Sequence, residues 1–254
     1  DANGNTLLTT GNHVEVRGQD PGQNTTVGRG LVEPLDTTPG NVYYISFIGE
    51  REGEPTNPEG DWWDNPDTPE VEEYPYGTNL YPRAAGLRLL PDASRNDLSG
   101  LVGSFSNRST NLWRYGSAGS EIESQTAFTT EAFVVLKLEY YQGEPDPETG
   151  EPRIGTTATL FVNPDDLTSE EANAGFTSEI LDDGGPFETI VDGIGIEGNN
   201  SSRDGDGNLL RGASIMVVDE IRVGTDWDSV TPLGEPSGGG DWAFWTPDAN
   251  GDVN

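Results

Sequence analysis

Short runs in which hydrophobic and polar residues alternate, separated by turn residues, dominate the chain. The clearest run covers residues 132–141, where apolar side chains occupy every second position from Val134 to Tyr140. Successive side chains of a β-strand point to opposite sides, so this run predicts a strand with one buried face. After the polar loop 142–152, residues 154–162 form a second β-rich run. Together the two runs predict a hairpin with a long tip.

The rest of the chain repeats this pattern, which predicts an all-β fold. Further strands are predicted at residues 12–16, 42–48, 86–90, 101–105, 111–115, 187–198 and 213–223, with residues 227–230 following the last of them. A helical turn or two is predicted at residues 165–174, where Thr168 or Ser169 is a suitable N-cap and Glu171 lies near the first turn.

Two segments break the pattern of strands and turns. Residues 49–82 form an insertion rich in proline, acidic and aromatic residues, and the chain after Pro232 combines a glycine spacer with an aromatic patch. Long loops inside a compact domain are uncommon and are often functional. We therefore expect one domain over residues 1–232, with its insertion at 49–82, followed by an extension over residues 233–254.

Composition narrows the choice of partners. The formal net charge is −32, from 45 acidic and 13 basic residues. A polyanion is repelled by nucleic acid and by anionic membranes, so cations are its natural partners. The chain has no cysteine, which excludes disulfides and thiolate chemistry, and its single histidine, His13, lies on a short alternating run typical of an ordinary strand. No apolar run approaches the ~18 residues that a membrane-spanning helix needs.

Several segments resemble concanavalin-A-like lectin and glucanase domains, of the laminin-G-like kind found in exported proteins of planctomycetes and related bacteria. The most specific is residues 218–232, which read VDEIRVGTDWDSVTP, while residues 42–48, 87–90 and 133–162 match more generally. The resemblance spans roughly residues 25–232. It implies a jelly roll of two antiparallel sheets and an extracellular or cell-surface location. It does not fix a function, because that fold hosts lectins, glycan-cleaving enzymes, adhesins and spacers.

Two acidic loops have the spacing of calcium ligands, with a carboxylate or amide at every second position. The candidate ligands are Asp204, Asp206 and Asn208 in one loop and Asp248, Asn250 and Asp252 in the other. The first loop has Ile215 where a helix-loop-helix calcium site has its final glutamate, and its alternative is an ordinary Asp-Gly turn. The second resembles the start of a dockerin-type loop. Calcium is therefore the one candidate cofactor.

Two groups of aromatic residues are candidate contact surfaces. They are Trp62, Trp63, Tyr74, Tyr76 and Tyr81 in the insertion, and Trp242, Phe244 and Trp245 in the extension. The first group suits stacking against sugar rings, with local packing and a subunit interface as alternatives. An exposed aromatic cluster is an aggregation liability unless it is covered, so the second group predicts docking on its own domain or on a neighbour.

No set of residues predicts catalysis. Glycan hydrolysis needs two placed carboxylates, and the Glu-x-Asp-x-x-Glu pattern that the resemblance implies for hydrolases is absent. Glu121 with Glu123, and Asp226 with Asp228, have strand-face spacing, which arises by chance among so many acids. We expect a non-catalytic extracellular structural or adhesive protein that self-associates through its terminal segments, as a filament or matrix subunit. The alternatives are a calcium-dependent glycan-binding module and a glycan-cleaving enzyme with an unrecognised carboxylate pair.

Overall fold

The structure, a computed structural model, is built almost entirely of strands. It describes residues 7–8, 13–18, 25–53, 85–90, 101–104, 112–117, 120–128, 130–145, 147–150, 152–181, 191–199, 202–203, 209–211 and 213–233. The elements in these ranges are β1 (His13–Arg17), β2 (Thr25–Gly30), β3 (Val42–Gly53), β4 (Ala85–Leu90), β5 (Leu101–Ser104), β6 (Leu112–Ser117), β7 (Ser120–Ala127), β8 (Ala132–Gln142), β9 (Ile154–Val162), β10 (Phe176–Leu181), β11 (Gly193–Gly198), β12 (Ser202–Arg203), β13 (Leu209–Arg211), β14 (Ser214–Gly224) and α1 (Trp227–Val230).

Two six-stranded sheets form a sandwich. The first sheet has the strand order β1-β14-β3-β8-β9-β10 and the second has the order β2-β11-β4-β5-β6-β7, while β12 and β13 pair separately. Every neighbouring pair is antiparallel. The edge strands β7 and β10 contact each other across the sandwich, as do β1 and β2. The predicted all-β sandwich of two antiparallel sheets is therefore confirmed.

The main core lies between the two sheets and follows from the alternation of each strand. In β8, Val134, Leu136 and Leu138 are buried against the second sheet, as the sequence pattern predicts. The Trp113 ring meets Phe128, which follows β7 of the same sheet, at a centroid distance of 4.3 Å, and Phe47 of the facing sheet at 5.7 Å. Aromatic pairs at these distances add to the free energy of burial, so this cluster is the centre of the core.

The hairpin and most other predicted strands are confirmed. Strand β9 begins and ends where the pattern predicts, and the pairing of Gln142 with Ile154 leaves residues 143–153 as the hairpin loop. Before β3, the turn places Gly40 at a φ of +100°, which only glycine adopts at little cost. His13 lies on β1 with 59% of its side chain exposed, as expected for an ordinary strand residue.

The helix predicted at residues 165–174 is wrong, and the helix lies at α1 instead. Asp166 Oδ1 accepts from the backbone N–H of Thr168 at 2.8 Å. Asn173 Nδ2 donates to the carbonyls of Asp166 and Ser169 at 2.6 and 2.7 Å. Polar side chains that bond to nearby backbone groups compete with a helix, so this segment folds into turns.

Two further differences concern the strands. Strands β2, β7, β10, β12 and β13 were not among the predicted strands, because the first three alternate weakly and the last two are only two and three residues long. The strand predicted at residues 187–198 begins at Gly193 within the described ranges.

No described helix has the length and apolar character to cross a membrane.

Candidate functional site

Every binding residue proposed from the sequence lies outside the described residues. These are Trp62, Trp63, Tyr74, Tyr76 and Tyr81 in the insertion, Trp242, Phe244 and Trp245 in the extension, and the calcium candidates Asp204, Asp206, Asn208, Asp248, Asn250 and Asp252. Among the residues that are described, no three His, Asp or Glu side chains come together in an arrangement that could hold a metal ion. These predictions therefore stay predictions.

The two carboxylate pairs noted in the sequence have different settings. Glu121 and Glu123 lie two residues apart on β7, and the Glu123 carboxylate is paired with Arg114. The strand-face interpretation of Asp226 and Asp228 is wrong, because Asp226 is the N-cap of α1 and Asp228 lies in its first turn. Asp226 Oδ1 accepts from the backbone N–H of Ser229 at 2.8 Å, which gives that carboxylate a structural role.

A polar row crosses the outer face of the second sheet. The paired positions run Glu197, Gly86, Gly103, Arg114 and Glu123 from β11 to β7. Their strand neighbours point into the core, so these positions face outward. We use "polar row" for these five residues.

The buried end of the polar row is a hydrogen-bonded network. Arg88 Nε donates to Glu197 Oε2 at 2.6 Å, and Arg88 Nη2 donates to Glu197 Oε1 at 3.1 Å. Asn199 Nδ2 donates to Glu197 Oε1 at 2.9 Å. The Glu197 side chain is only 1% exposed, so these donors take the place of water around its carboxylate. A bidentate Arg–carboxylate pair of this kind is held in one geometry.

The other end of the polar row is more accessible. Arg114 donates to Glu123, whose side chain is 37% exposed. Between the two ends, a Cβ on Gly103 would collide with the backbone of Ala85 and Gly86, so glycine is required there by the close approach of β4. The row therefore holds charged groups at both ends of a buried strip without side chains, and Glu123 is its exposed member.

The polar row does not hold a carboxylate pair suited to glycan cleavage. Glu197 and Glu123 lie on strands four spacings apart, and at about 4.8 Å per spacing their backbones are roughly 19 Å from each other. Catalytic carboxylates of glycosidases lie about 5 to 9.5 Å apart. Since each of these two is also paired with an arginine, this row is better suited to contact than to chemistry.

The outer face of the first sheet is covered by its own chain. Trp227 packs edge to face against Phe161 and Tyr44, at centroid distances of 5.1 and 6.3 Å. Val135 and Val230 complete this second, smaller core. The indole N–H of Trp227 donates to the Leu167 carbonyl at 2.9 Å, which fixes the turns of residues 163–175 over the sheet.

The only lysine, Lys137, belongs to this cover. Its Nζ lies 2.8 Å from Glu170 Oε1 and 3.2 Å from Glu139 Oε1. Burial lowers the pKa of Lys137, but these two hydrogen bonds outweigh it and the net direction is upward. Glu170 Oε2 also accepts from the Tyr44 hydroxyl at 2.5 Å, and burial together with this bond raises the pKa of Tyr44. The cluster holds residues 163–175 against β3 and β8.

Most of the motif 218–232 has structural contacts. A Cβ on Gly224 would collide with Ser229 Oγ, so glycine lets α1 fold back. Thr231 Oγ1 donates to the Leu167 carbonyl at 3.0 Å, and Ser46 Oγ donates to the Val230 carbonyl at 2.8 Å. The contacts described for residues 218–232 therefore stabilise the fold.

A β-bulge lies at the start of the same motif. The register of β14 against β3 shifts between Asp219 and Arg222, and Glu220 has a φ of +55°. The shift changes the alternation, so Val218 and Ile221 both pack on the core while Glu220 and Arg222 do not. Arg222 Nη2 donates to Glu220 Oε2 at 2.6 Å, and the two side chains are 5% and 2% exposed.

The two ends of the sandwich meet beside this bulge. Leu7 and Leu233 form an antiparallel bridge, and the Leu8 N–H donates to the Pro232 carbonyl at 3.0 Å. Arg222 Nη2 also donates to the Leu8 carbonyl, at 2.7 Å. We call residues 7–8 and 232–233 with Arg222 the terminal junction. Residues 7 and 233 are thus neighbours, although they lie at opposite ends of the described chain.

Sequence reasoning did not identify Arg88, Glu197, Asn199, Glu220 or Arg222 as site residues. One signal for Glu197 was available, since it is the lone charged residue in the run Gly193–Gly198. For Glu220 and Arg222 the signal was a break of alternation, because a regular strand through Val218 would bury both in the core. Neither pattern indicates which partner neutralises the charge.

Comparison with known proteins adds little. No protein-family model and no curated protein matches the chain. Among solved structures, the binding domain of botulinum neurotoxin serotype D/C VPI 5993 is similar at a TM-score of 0.36 and 8% sequence identity. That match covers 91% of this chain and 51% of the other, so the chain spans about half of its length. A likeness this weak carries no argument, and the site has to be interpreted from its own geometry.

Proposed function

We propose that the protein is a non-catalytic extracellular structural or adhesive protein that self-associates through its terminal segments. The observation that supports this proposal is the terminal junction, where the bridge between Leu7 and Leu233 puts the two residues next to each other. A filament or matrix subunit needs its contact segments in a fixed relative position. The extension carries Trp242, Phe244 and Trp245, large side chains that gain most from being buried against a neighbour.

Sedimentation velocity over a wide range of protein concentrations tests this proposal. The full chain should form larger species as concentration rises, and a variant with Trp242, Phe244 and Trp245 all changed to serine should not. The control changes three exposed residues of the domain, Val32, Glu33 and Thr130, to serine and should behave as the unchanged chain. A full chain that stays monomeric at every concentration, with and without calcium, would contradict the proposal.

A glycan-binding module is the second candidate, and the polar row supports it. At the accessible end of the row, the Arg114–Glu123 pair offers fixed hydrogen-bonding groups that suit a hydroxylated ligand. Glu123 is the accessible end of the row, with 37% of its side chain exposed. Because the protein carries a net charge of −32, neutral glycans are favoured unless calcium bridges an anionic one.

Affinity electrophoresis in gels of neutral polysaccharides separates the two ways in which a glycan would bind. If the insertion binds, changing Trp62 and Trp63 to alanine abolishes retardation and Glu123→Gln has no effect. If the polar row binds, Glu123→Gln weakens retardation and the tryptophan variant keeps it. Unretarded migration across a broad panel, with and without calcium, contradicts this second candidate.

The remaining expectations also stand as proposals. The jelly-roll resemblance to concanavalin-A-like domains is supported by the pairing of two six-stranded antiparallel sheets. Calcium binding at the two acidic loops is supported by their ligand spacing alone. A glycan-cleaving activity has the least support, because the row carboxylates lie too far apart to act as a pair.

A further inference from the structure

The N-terminal and C-terminal sides of the terminal junction are anchored unequally. The C-terminal side has its own attachments to the first sheet and its cover, through Ser46, Leu167 and the capped helix α1. The N-terminal side, residues 7–8, bonds to residues 232–233 and to Arg222. Among the described residues, few hydrogen bonds hold Leu7 and Leu8, and both are only half-buried, as is typical of segments that open locally.

Arg222 joins the N-terminal side to β14. Its Nη2 atom donates at once to Glu220 and to the Leu8 carbonyl, at 2.6 and 2.7 Å. Loss of the guanidinium therefore removes the direct tie between residues 7–8 and the sheet. It also leaves the Glu220 carboxylate, 2% exposed, without this partner, which disfavours the folded bulge.

The pair is held in a strained setting. Glu220 is not a glycine, yet it occupies the left-handed region, a conformation that persists only when its surroundings impose it. Arg222 Nη1 is buried and has no hydrogen-bond partner among the described residues. The Asp219 carboxylate accepts the Glu220 N–H beside the same pair. Strain and an unsatisfied donor both lower the free energy needed to open this region.

We propose that the Glu220–Arg222 pair is a latch on the terminal junction. While it is closed, residues 7–8 stay paired with residues 232–233 of the same chain. When it opens, residues 7–8 separate from residues 232–233 while both sheets stay folded. The consequence for assembly rests on the proposed function, since the released segment then pairs with residues 232–233 of a second copy.

Hydrogen exchange of the full chain tests the latch. In Arg222→Met, the Leu8 amide should exchange on the order of 10-fold faster or more, as loss of a hydrogen bond to a charged group predicts. Arg88→Met is the matched control, because it breaks the other buried Arg–Glu pair on the opposite sheet. It should leave Leu8 exchange unchanged. Equal exchange of Leu8 in Arg222→Met and the unchanged chain overturns the latch, as does equal acceleration in both variants.

A second variant covers the case in which Arg222→Met does not fold. Glu220→Gly removes the carboxylate but tolerates the left-handed backbone, so the bulge is retained. It should also accelerate exchange at Leu8, and unchanged exchange counts against the latch. Sedimentation of the same samples separates the two proposals. Faster exchange in a chain that stays monomeric supports the latch and contradicts self-association, whereas assembly with unchanged exchange does the reverse.

Discussion

On the outer face of the first sheet, Trp227 and Phe161 pack ring against ring beneath residues 163–175, with Lys137 tied to Glu170 at their edge. On the outer face of the second sheet, Gly86 and Gly103 separate two Arg–Glu pairs that belong to different strands. On the first face, the polar and aromatic side chains make contacts within the chain, and these include the contacts of residues 218–232. The second face holds polar groups in place without an aromatic cover among the described residues. The motif 218–232 therefore lies at the face whose contacts stabilise the domain. It gave no indication of the polar row on the other face.

The largest expected effect comes from the cover of the first sheet. Trp227→Ala removes two ring contacts and the bond to Leu167, so it should lower the free energy of unfolding by about 3–5 kcal/mol. Chemical denaturation at neutral pH measures this loss. Trp227→Phe keeps an aromatic ring but loses the indole N–H, and it should lower the free energy of unfolding by roughly 1–2 kcal/mol. A loss below 1 kcal/mol for the alanine variant would show that the cover contributes little.

The next largest effect concerns the second sheet. Arg88→Met leaves the Glu197 carboxylate buried without its main partner and should cost about 3 kcal/mol. The double variant Arg88→Met, Glu197→Gln removes both charges and should recover much of that loss. The same unfolding experiment measures both variants. Equal stabilities of the single and double variants would mean that the unpaired Glu197 carboxylate is not the source of the loss.

A moderate effect is expected at Lys137. Lys137→Met should cost about 1–2 kcal/mol at neutral pH, because it breaks bonds to two partly exposed carboxylates. The pKa of this lysine is raised in the folded state, so its contribution is complete below the unfolded value of about 10.4 and is lost as the pH rises above it. The difference in free energy of unfolding between the variant and the unchanged chain should therefore be constant up to about pH 10 and begin to narrow by pH 11. A gap that widens with pH contradicts this account.

The smallest expected effect, at Asp219, is an increase in the free energy of unfolding rather than a loss. Burial and the neighbouring Glu220 charge raise the pKa of Asp219, so its ionised form is disfavoured by folding. A raised folded pKa gives a penalty that is absent below the unfolded pKa of about 3.9 and complete above the folded value. Asp219→Asn should therefore stabilise the protein slightly at pH 7 and by less at pH 4. Thermal unfolding at the two pH values measures the difference, and a destabilised variant at pH 7 would contradict the assignment.

The two sheets also differ in how far the sequence predicted them. Strands β8 and β9 were predicted with nearly correct bounds, because their alternation is strong and their hairpin is local. The row from Glu197 to Glu123 was not predictable, since it depends on register across five strands that are distant along the chain. The terminal junction could not be predicted from the sequence either, because Leu8 and Arg222 are 214 residues apart along the chain. The local pattern of hydrophobic and polar residues predicts a single strand, whereas a site built from several strands depends on how those strands pair in the folded protein.

Chemical cross-linking tests the proposed self-association most directly. The chain has no cysteine, so a single one can be introduced at an exposed position of either region. Asp228→Cys places it on α1 near the terminal junction, and Arg29→Cys places it on β2 of the second sheet. With a short bis-maleimide and rising protein concentration, the account predicts covalent dimers for Asp228→Cys and monomers for Arg29→Cys. Dimers formed by Arg29→Cys alone, or by neither variant, would contradict it.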